Sequence, residues 1–239
     1  MLRKVVKQVQ GYRTQDGAGV SLVRVLGNQT VDLYDPFLML DAFDSTNPSD
    51  YMAGFPMHPH RGIETFTFLS KGIMVHEDHL GTKAAIHDGE AQWLTAGSGA
   101  FHSEMPQPSK RMLGLQLWLN IPAKLDYYDI HLNPNSRIEF DRPGENKSIM
   151  VFTLEGDAIV SGTHVDEKTA AKLGDGDQVT IESGDQPIEI IYMASDKLNE
   201  PVAWYGPIVM NTREELIEAY TELDSGDFIK QQATYENKV

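Results

Sequence analysis

His58 and His60 stand one residue apart in FPMHPHRGIETF, residues 55–66, in a chain with eight histidines and no cysteine. Side chains of an extended strand alternate between faces, so this spacing aims two imidazoles the same way. If the strand is regular, Gly62, Glu64, Phe66 and Phe68 share that face. A second pair with the same spacing, His102 and Glu104, follows in TAGSGAFHSEMP. Facing each other across a barrel, the two pairs offer three imidazoles and a carboxylate. That set suits a divalent first-row metal such as iron, nickel, copper or manganese, and an ion preferring six ligands would keep two positions for substrate or water. Without cysteine there is no thiolate cage, disulfide framework or cysteine nucleophile. Either pair alone better fits polar residues on an exposed strand; a second pair within reach leaves that reading and the metal reading evenly matched. Glu64 has three readings: a ligand, an acceptor that orients an imidazole, or a partner of Arg61. The second is preferred because four ligands exist without it.

Short apolar, β-branched runs must position these residues: VSLVRVLG, PFLML, IETFTFL, LGLQLWLNI, SIMVFTLEG and IEIIYMA, punctuated by Gly, Pro, Asn and Asp. The pattern predicts an all-β protein of sandwiches or barrels. Asp88-Gly89 predicts a hairpin turn. One helix is expected near the end, at about 213–223. There Thr212 and Glu215 form a capping box, and Leu216, Ala219, Tyr220 and Leu223 recur at helical spacing. The polar stretch LDYYDIHLNPNSRIEFDRPGENK is the expected crossing between two halves. His76 and His79 fit the pocket wall, but a hydrogen-bonded strand histidine is the preferred reading. His87, His131 and His164 are expected at the surface. Trp93, Trp118 and Trp204 are expected in the core. Phe55, Met57, Phe66, Phe68 and Trp93 together would also wall a flat aromatic ligand.

Twenty Lys plus Arg against thirty-five Asp plus Glu give a net charge of −15. That balance repels nucleic acid and anionic membranes over most of the surface. No apolar run is long enough for a membrane helix, and the opening MLRKVVKQVQGYRTQ lacks a signal-peptide core. A soluble cytoplasmic protein is expected, with no direct nucleic-acid or membrane partner.

The segments DPFLMLDAF, FPMHPHRGIETFTFL, DGEAQWLTAGSGAFHSEMP, LQLWLNIPAK and EPVAWYGPIVMNT resemble the successive signatures of the pirin family, within the cupin superfamily. The resemblance covers residues 17–123 and resumes at about 199–228. It implies two cupin-type β-barrels in one chain (a bicupin) with a short C-terminal helix. Residues 1–130 are then an N-terminal metal-binding barrel, and 131–239 a C-terminal barrel without metal that ends in the helix. Carried over, the family's ligands fall on His58, His60, His102 and Glu104. Iron(II) is the expected ion, with nickel, copper, manganese or zinc as alternatives. The implied activity is that of a quercetin 2,3-dioxygenase-type oxidoreductase, a quercetinase cleaving a flavonol or related enolisable aromatic with dioxygen, Glu104 being the catalytic base. The family also implies an alternative: a metal-dependent regulator, a transcriptional coregulator or modulator of a metabolic enzyme that acts by binding a protein partner.

Overall fold

The computed structural model describes residues 1–141 and 147–230. In chain order its strands begin with β1 (Val5–Gln10), β2 (Tyr12–Asp16), β3 (Val20–Leu26), β4 (Phe37–Ser45), β5 (Phe55–His60), β6 (Ile63–Lys71) and β7 (Met74–Asp78). There follow β8 (Lys83–Ile86), β9 (Glu90–Thr95), β10 (Ala100–Pro106), β11 (Met112–Asn120), β12 (Asp126–Leu132), β13 (Arg137–Asp141) and β14 (Lys147–Glu155). The series closes with β15 (Ala158–Val160), β16 (Thr163–Val165), β17 (Thr169–Leu173), β18 (Gln178–Ser183), β19 (Ile188–Asp196), β20 (Ala203–Tyr205) and β21 (Ile208–Met210). The fold is all-β, as the short punctuated runs require.

The chain forms two compact units, each drawn from three separate segments. The companion unit takes Met1–Thr14, Leu22–Phe43 and Pro122–Asn199; the histidine-bearing unit takes Gln15–Ser21, Asp44–Ile121 and Glu200–Val239. This differs from the expected division at residues 130/131, which falls inside β12. Strand pairing is non-local, and that is the reason: β1 pairs with β17, Gln10 opposite Thr169, so the start of the chain completes a sheet built mostly from its second half. The expected crossing segment is likewise not a linker, because it contains β12 and β13; its residues 142–146 lie outside those described.

In the companion unit a sheet ordered β1-β17-β14-β19-β12 and a second ordered β13-β18-β15-β16 enclose one apolar cluster. Alternate residues supply it: Ile149 and Val151, Ala171 and Leu173, Ile188, Ile190 and Tyr192, with Val179 and Ile181 from the smaller sheet.

The histidine-bearing unit sets the sheet β5-β10-β7-β8 beside the adjacent strands β11, β6 and β9. Asp88-Gly89 does not make a hairpin. Strand β8 pairs with β7 and β9 with β6, so this turn carries the chain from one sheet to the other. The Asp88 carboxylate holds the corner by accepting from the Gly72 N–H at 2.8 Å. The closing helix, α2 in chain order (Arg213–Ser225), comes after a single-turn α1 (Val31–Tyr34). Its capping box is the one expected, with Thr212 and Glu215 each accepting from the other's backbone N–H. Its apolar face joins Ala219, Leu216, Tyr220 and Leu223 to Ile208, Phe228 and Phe101. Among the described residues no helix is long and apolar enough to cross a membrane.

Candidate metal centre

Strand β10 is the middle of the site. On one side it pairs with β5, placing His102 opposite His58; on the other it pairs with β7, placing Glu104 opposite His76. Opposed residues of an antiparallel pair share a face. The register therefore gathers four of the eight histidines and a carboxylate on one surface. Donor atoms of His58, His60 and His102 lie within 4.8 Å of one another, and so do those of His76, His102 and Glu104. His102 belongs to both groups. The four residues expected from the sequence do come together, but as two overlapping triads, with His76 as a fifth member.

The tautomers follow from the hydrogen bonds. His58 Nδ1 donates to the Pro56 carbonyl at 2.8 Å, and His60 Nδ1 to the Pro207 carbonyl at 2.9 Å. A carbonyl accepts only, so both protons sit on Nδ1 and both Nε2 atoms carry lone pairs. Those Nε2 atoms face each other 3.0 Å apart. Two lone pairs at that distance repel unless a cation lies between or beside them. His102 Nε2, on a residue 0% exposed, has no hydrogen-bond partner. On the far side of its ring, Nδ1 lies 3.4 Å from His76 Nδ1, which also takes the Gln92 amide at 2.7 Å.

Burial keeps all of these rings neutral. Desolvation lowers the His58 and His76 pKa values, brings His60 down to about 3 and depresses His102 further. Burial acts oppositely on Glu104, lifting its carboxyl from 4.5 to about 7 against the Thr67 hydroxyl, which lowers it. Thr67 Oγ1 lies 2.6 Å from Glu104 Oε1 and also 2.6 Å from Gln116 Oε1. Neutral imidazoles with converging lone pairs and a nearby carboxylate fit a divalent transition ion.

Several expectations need correction. The run from His58 to Phe68 is not one strand. Gly62, at φ +79°, breaks it into β5 and β6, which lie in different sheets. Thr67 turns toward Glu104, so by alternation Glu64, Phe66 and Phe68 occupy the opposite face of β6. Phe66 meets Trp93 there, ring centroids 5.7 Å apart, and Trp93 is 43% exposed rather than core. Phe66, Phe68 and Trp93 therefore do not wall the site, whereas Phe55 stands opposite Glu104 in the pairing of β5 with β10. Glu64 orients no imidazole: it accepts from Thr95 at 2.9 Å, while Arg61 pairs with Glu222. The wall is instead Trp118, edge-on to His60 at 4.9 Å and 5.8 Å from Trp204, both tryptophans being only partly buried.

Thr67, Gln92 and Gln116 had one legible sign, a polar residue within an apolar run such as LGLQLWL. The Pro207 carbonyl had none. His87, His131 and His164 are exposed, as expected. The two in the companion unit do have neighbours two residues away in Asp129 and Asp166, and His131 also meets Glu189.

An antiparallel β unit carrying a buried histidine cluster, joined in one chain to a second antiparallel β unit with its own core, defines a bicupin with a candidate metal centre. Family comparison agrees. Residues 19–119 match the Pirin family and 127–229 the Pirin C-terminal cupin domain, and the chain belongs to the pirin family. A pirin-like protein of Caulobacter vibrioides is 36% identical over 95% of this chain and 99% of its own. A Pseudomonas aeruginosa protein named "putative quercetin 2,3-dioxygenase" is 34% identical, covering 94% and 97%. A crystal structure of quercetin 2,3-dioxygenase from Acinetobacter baumannii superposes with a TM-score of 0.85 at 25% identity, covering 95% of this chain and 99% of that one.

Proposed function

We propose that His58, His60, His102 and Glu104 hold one divalent transition metal, iron(II) being the expected ion, and that the protein cleaves a flavonol or a related enolisable aromatic with dioxygen. The names of its relatives support the substrate class. The observation that carries the reading is the Glu104 carboxyl, 3% exposed, lifted by burial to about 7 and placed with a ligand oxygen within 4.8 Å of ring nitrogens of His76 and His102, the latter shared with the His58–His60 group. A base works best when its pKa lies near the operating pH, and this one can take a proton at neutrality. When bound, the metal supplies Lewis acidity and a path for electrons to dioxygen.

The chain's own residues do the rest. Thr67 holds one carboxylate oxygen of Glu104, leaving the other to accept the substrate's hydroxyl proton. The enolate so formed is electron-rich, as attack by dioxygen requires. His58 and His60, locked as Nδ1–H tautomers, have no lone pair elsewhere on the ring and do not compete for that proton. Trp118 and Trp204 offer flat apolar faces beside His60.

The test is metal analysis of the purified chain followed by dioxygen uptake over a panel of flavonols. Uptake should scale with metal content. A panel that stays silent at full metal occupancy would overturn the dioxygenase reading and turn attention to protein partners.

A further inference from the structure

The C-terminal segment reaches the metal centre from behind. We propose that Arg61 is a positioning residue for the ligand His60. By pinning helix α2 and Phe228, it keeps the Pro207 carbonyl on His60 Nδ1, so that residues 207–228 act as a clasp on the metal site. This rests on the reading of His60 as a ligand.

A chain of contacts carries the inference, all within the histidine-bearing unit. His60 Nδ1 donates to the Pro207 carbonyl. One residue on, the Arg61 carbonyl accepts from Val209 N–H at 3.0 Å, and Arg61 bridges to Ile208. The guanidinium, on a residue 6% exposed, pairs with Glu222 at 2.7 Å, donates to the Phe228 carbonyl and lies 4.2 Å from the Phe228 ring centre. Phe228 is 1% exposed and packs 5.5 Å from Phe101, the residue before His102.

The backbone on the receiving side is cut to fit. A Cβ on Gly62 would stand 1.7 Å from the Val209 carbonyl oxygen, and one on Gly99 2.5 Å from that of Phe228. Both glycines flank the ligand strands, and both are needed for the C-terminal segment to approach. A hydrogen bond to the far nitrogen of a ligating imidazole fixes its tautomer and raises its basicity, and losing such a partner typically weakens metal binding about 10–100-fold. His58 is the internal control, because its Nδ1 partner is Pro56 in its own strand.

The experiment compares the full chain with Arg61→Met and with the milder Glu222→Gln, measuring Ni(II) and Zn(II) affinity by chelator competition. In parallel, nitrogen-15 NMR of the histidine rings in chelated protein reads the tautomers without reference to metal or turnover. Metal binding should weaken about tenfold or more in Arg61→Met. The His60 signals should shift toward a mixture of tautomers while those of His58 stay put. Glu222→Gln should move both readouts the same way by less. Unchanged His60 tautomer in folded variants would overturn the clasp. A lost tautomer with unchanged affinity would overturn the premise that His60 is a ligand. Equal disturbance of His58 and His60 would mean that Arg61 is merely structural.

Discussion

Thr67→Val removes one hydroxyl from the centre and almost nothing else. Thr67 is 0% exposed and its Oγ1 sits 2.6 Å from Glu104 Oε1, so valine fills the same space without a donor. The hydroxyl has a single proton and cannot serve Glu104 and Gln116 together. When Glu104 is ionised the carboxylate takes it, and the Gln116 amide turns its NH2 toward the hydroxyl oxygen.

The loss should therefore depend on pH. A hydrogen bond to a charged group contributes about 1.5–3 kcal/mol, one between neutral groups about 0.5–1.5 kcal/mol. With Glu104 titrating at about 7, the first figure applies at pH 8.5 and the second at pH 5. The difference, about 1 kcal/mol or more, is equivalent to a further rise of the Glu104 pKa by roughly one unit. The Gln116 partner is lost at both pH values and cancels. Urea unfolding of chelated parent and variant at the two pH values gives the answer. Equal destabilisation at pH 5 and 8.5 would refute the placement of an ionised Glu104 under the Thr67 hydroxyl.

Glu104→Gln keeps the shape and one acceptor oxygen but cannot take a proton at neutral pH; partial metal retention with turnover reduced at least a hundredfold is expected in oxygen-uptake assays. Gly62→Ala meets both a positive φ and the Val209 carbonyl oxygen, so a loss of about 3 kcal/mol or more should appear in thermal or urea unfolding, together with weaker metal binding. The chelated protein should lose stability as pH falls below about 6.5. The imidazoles of His58, His60, His76 and His102 are lowered in the fold, so the unfolded chain takes up protons first, at up to about 1.4 kcal/mol per pH unit for each ring. Glu104, raised in the fold, works the other way between 4.5 and 7 and offsets only one of the four. Unfolding midpoints that stay flat from pH 7 to 5 would contradict this.

The site was legible because its chemistry is written locally. His58 with His60, and His102 with Glu104, are polar pairs at strand spacing, and the register of β10 against β5 delivers one pair to the other. The helix was legible for the same reason: its cap and apolar face lie within 12 residues of chain, from Thr212 to Leu223. What was missed depends on contacts between distant segments. Periodicity carried the His58 face through to Phe68, and only the left-handed turn at Gly62 shows that β6 has reversed parity. Asp88-Gly89 has the residues of a hairpin, yet its flanking strands find stronger pairing elsewhere, Met74 to Glu77 for one and Glu64 to Leu69 for the other. His76 looked like an ordinary strand histidine because its partners, Glu104 and Gln92, are supplied by other strands.

The pairing of β1 with β17 also has a bearing on how the protein is made. Between Gln10 and Thr169 lie about 160 residues, which a ribosome adds in roughly 8–30 s at about 5–20 residues per second. For that time β1 has left the ribosome without the edge it will cover. The histidine-bearing unit waits too: its helix and the Pro207 carbonyl belong to its third segment, so His60 acquires its final hydrogen bond only after residue 207 has been added. A complete, oriented ligand set for a metal should thus await the arrival of residue 207. A nascent chain stalled after residue 121 would carry His58, His60, His102 and Glu104 and still lack a finished centre.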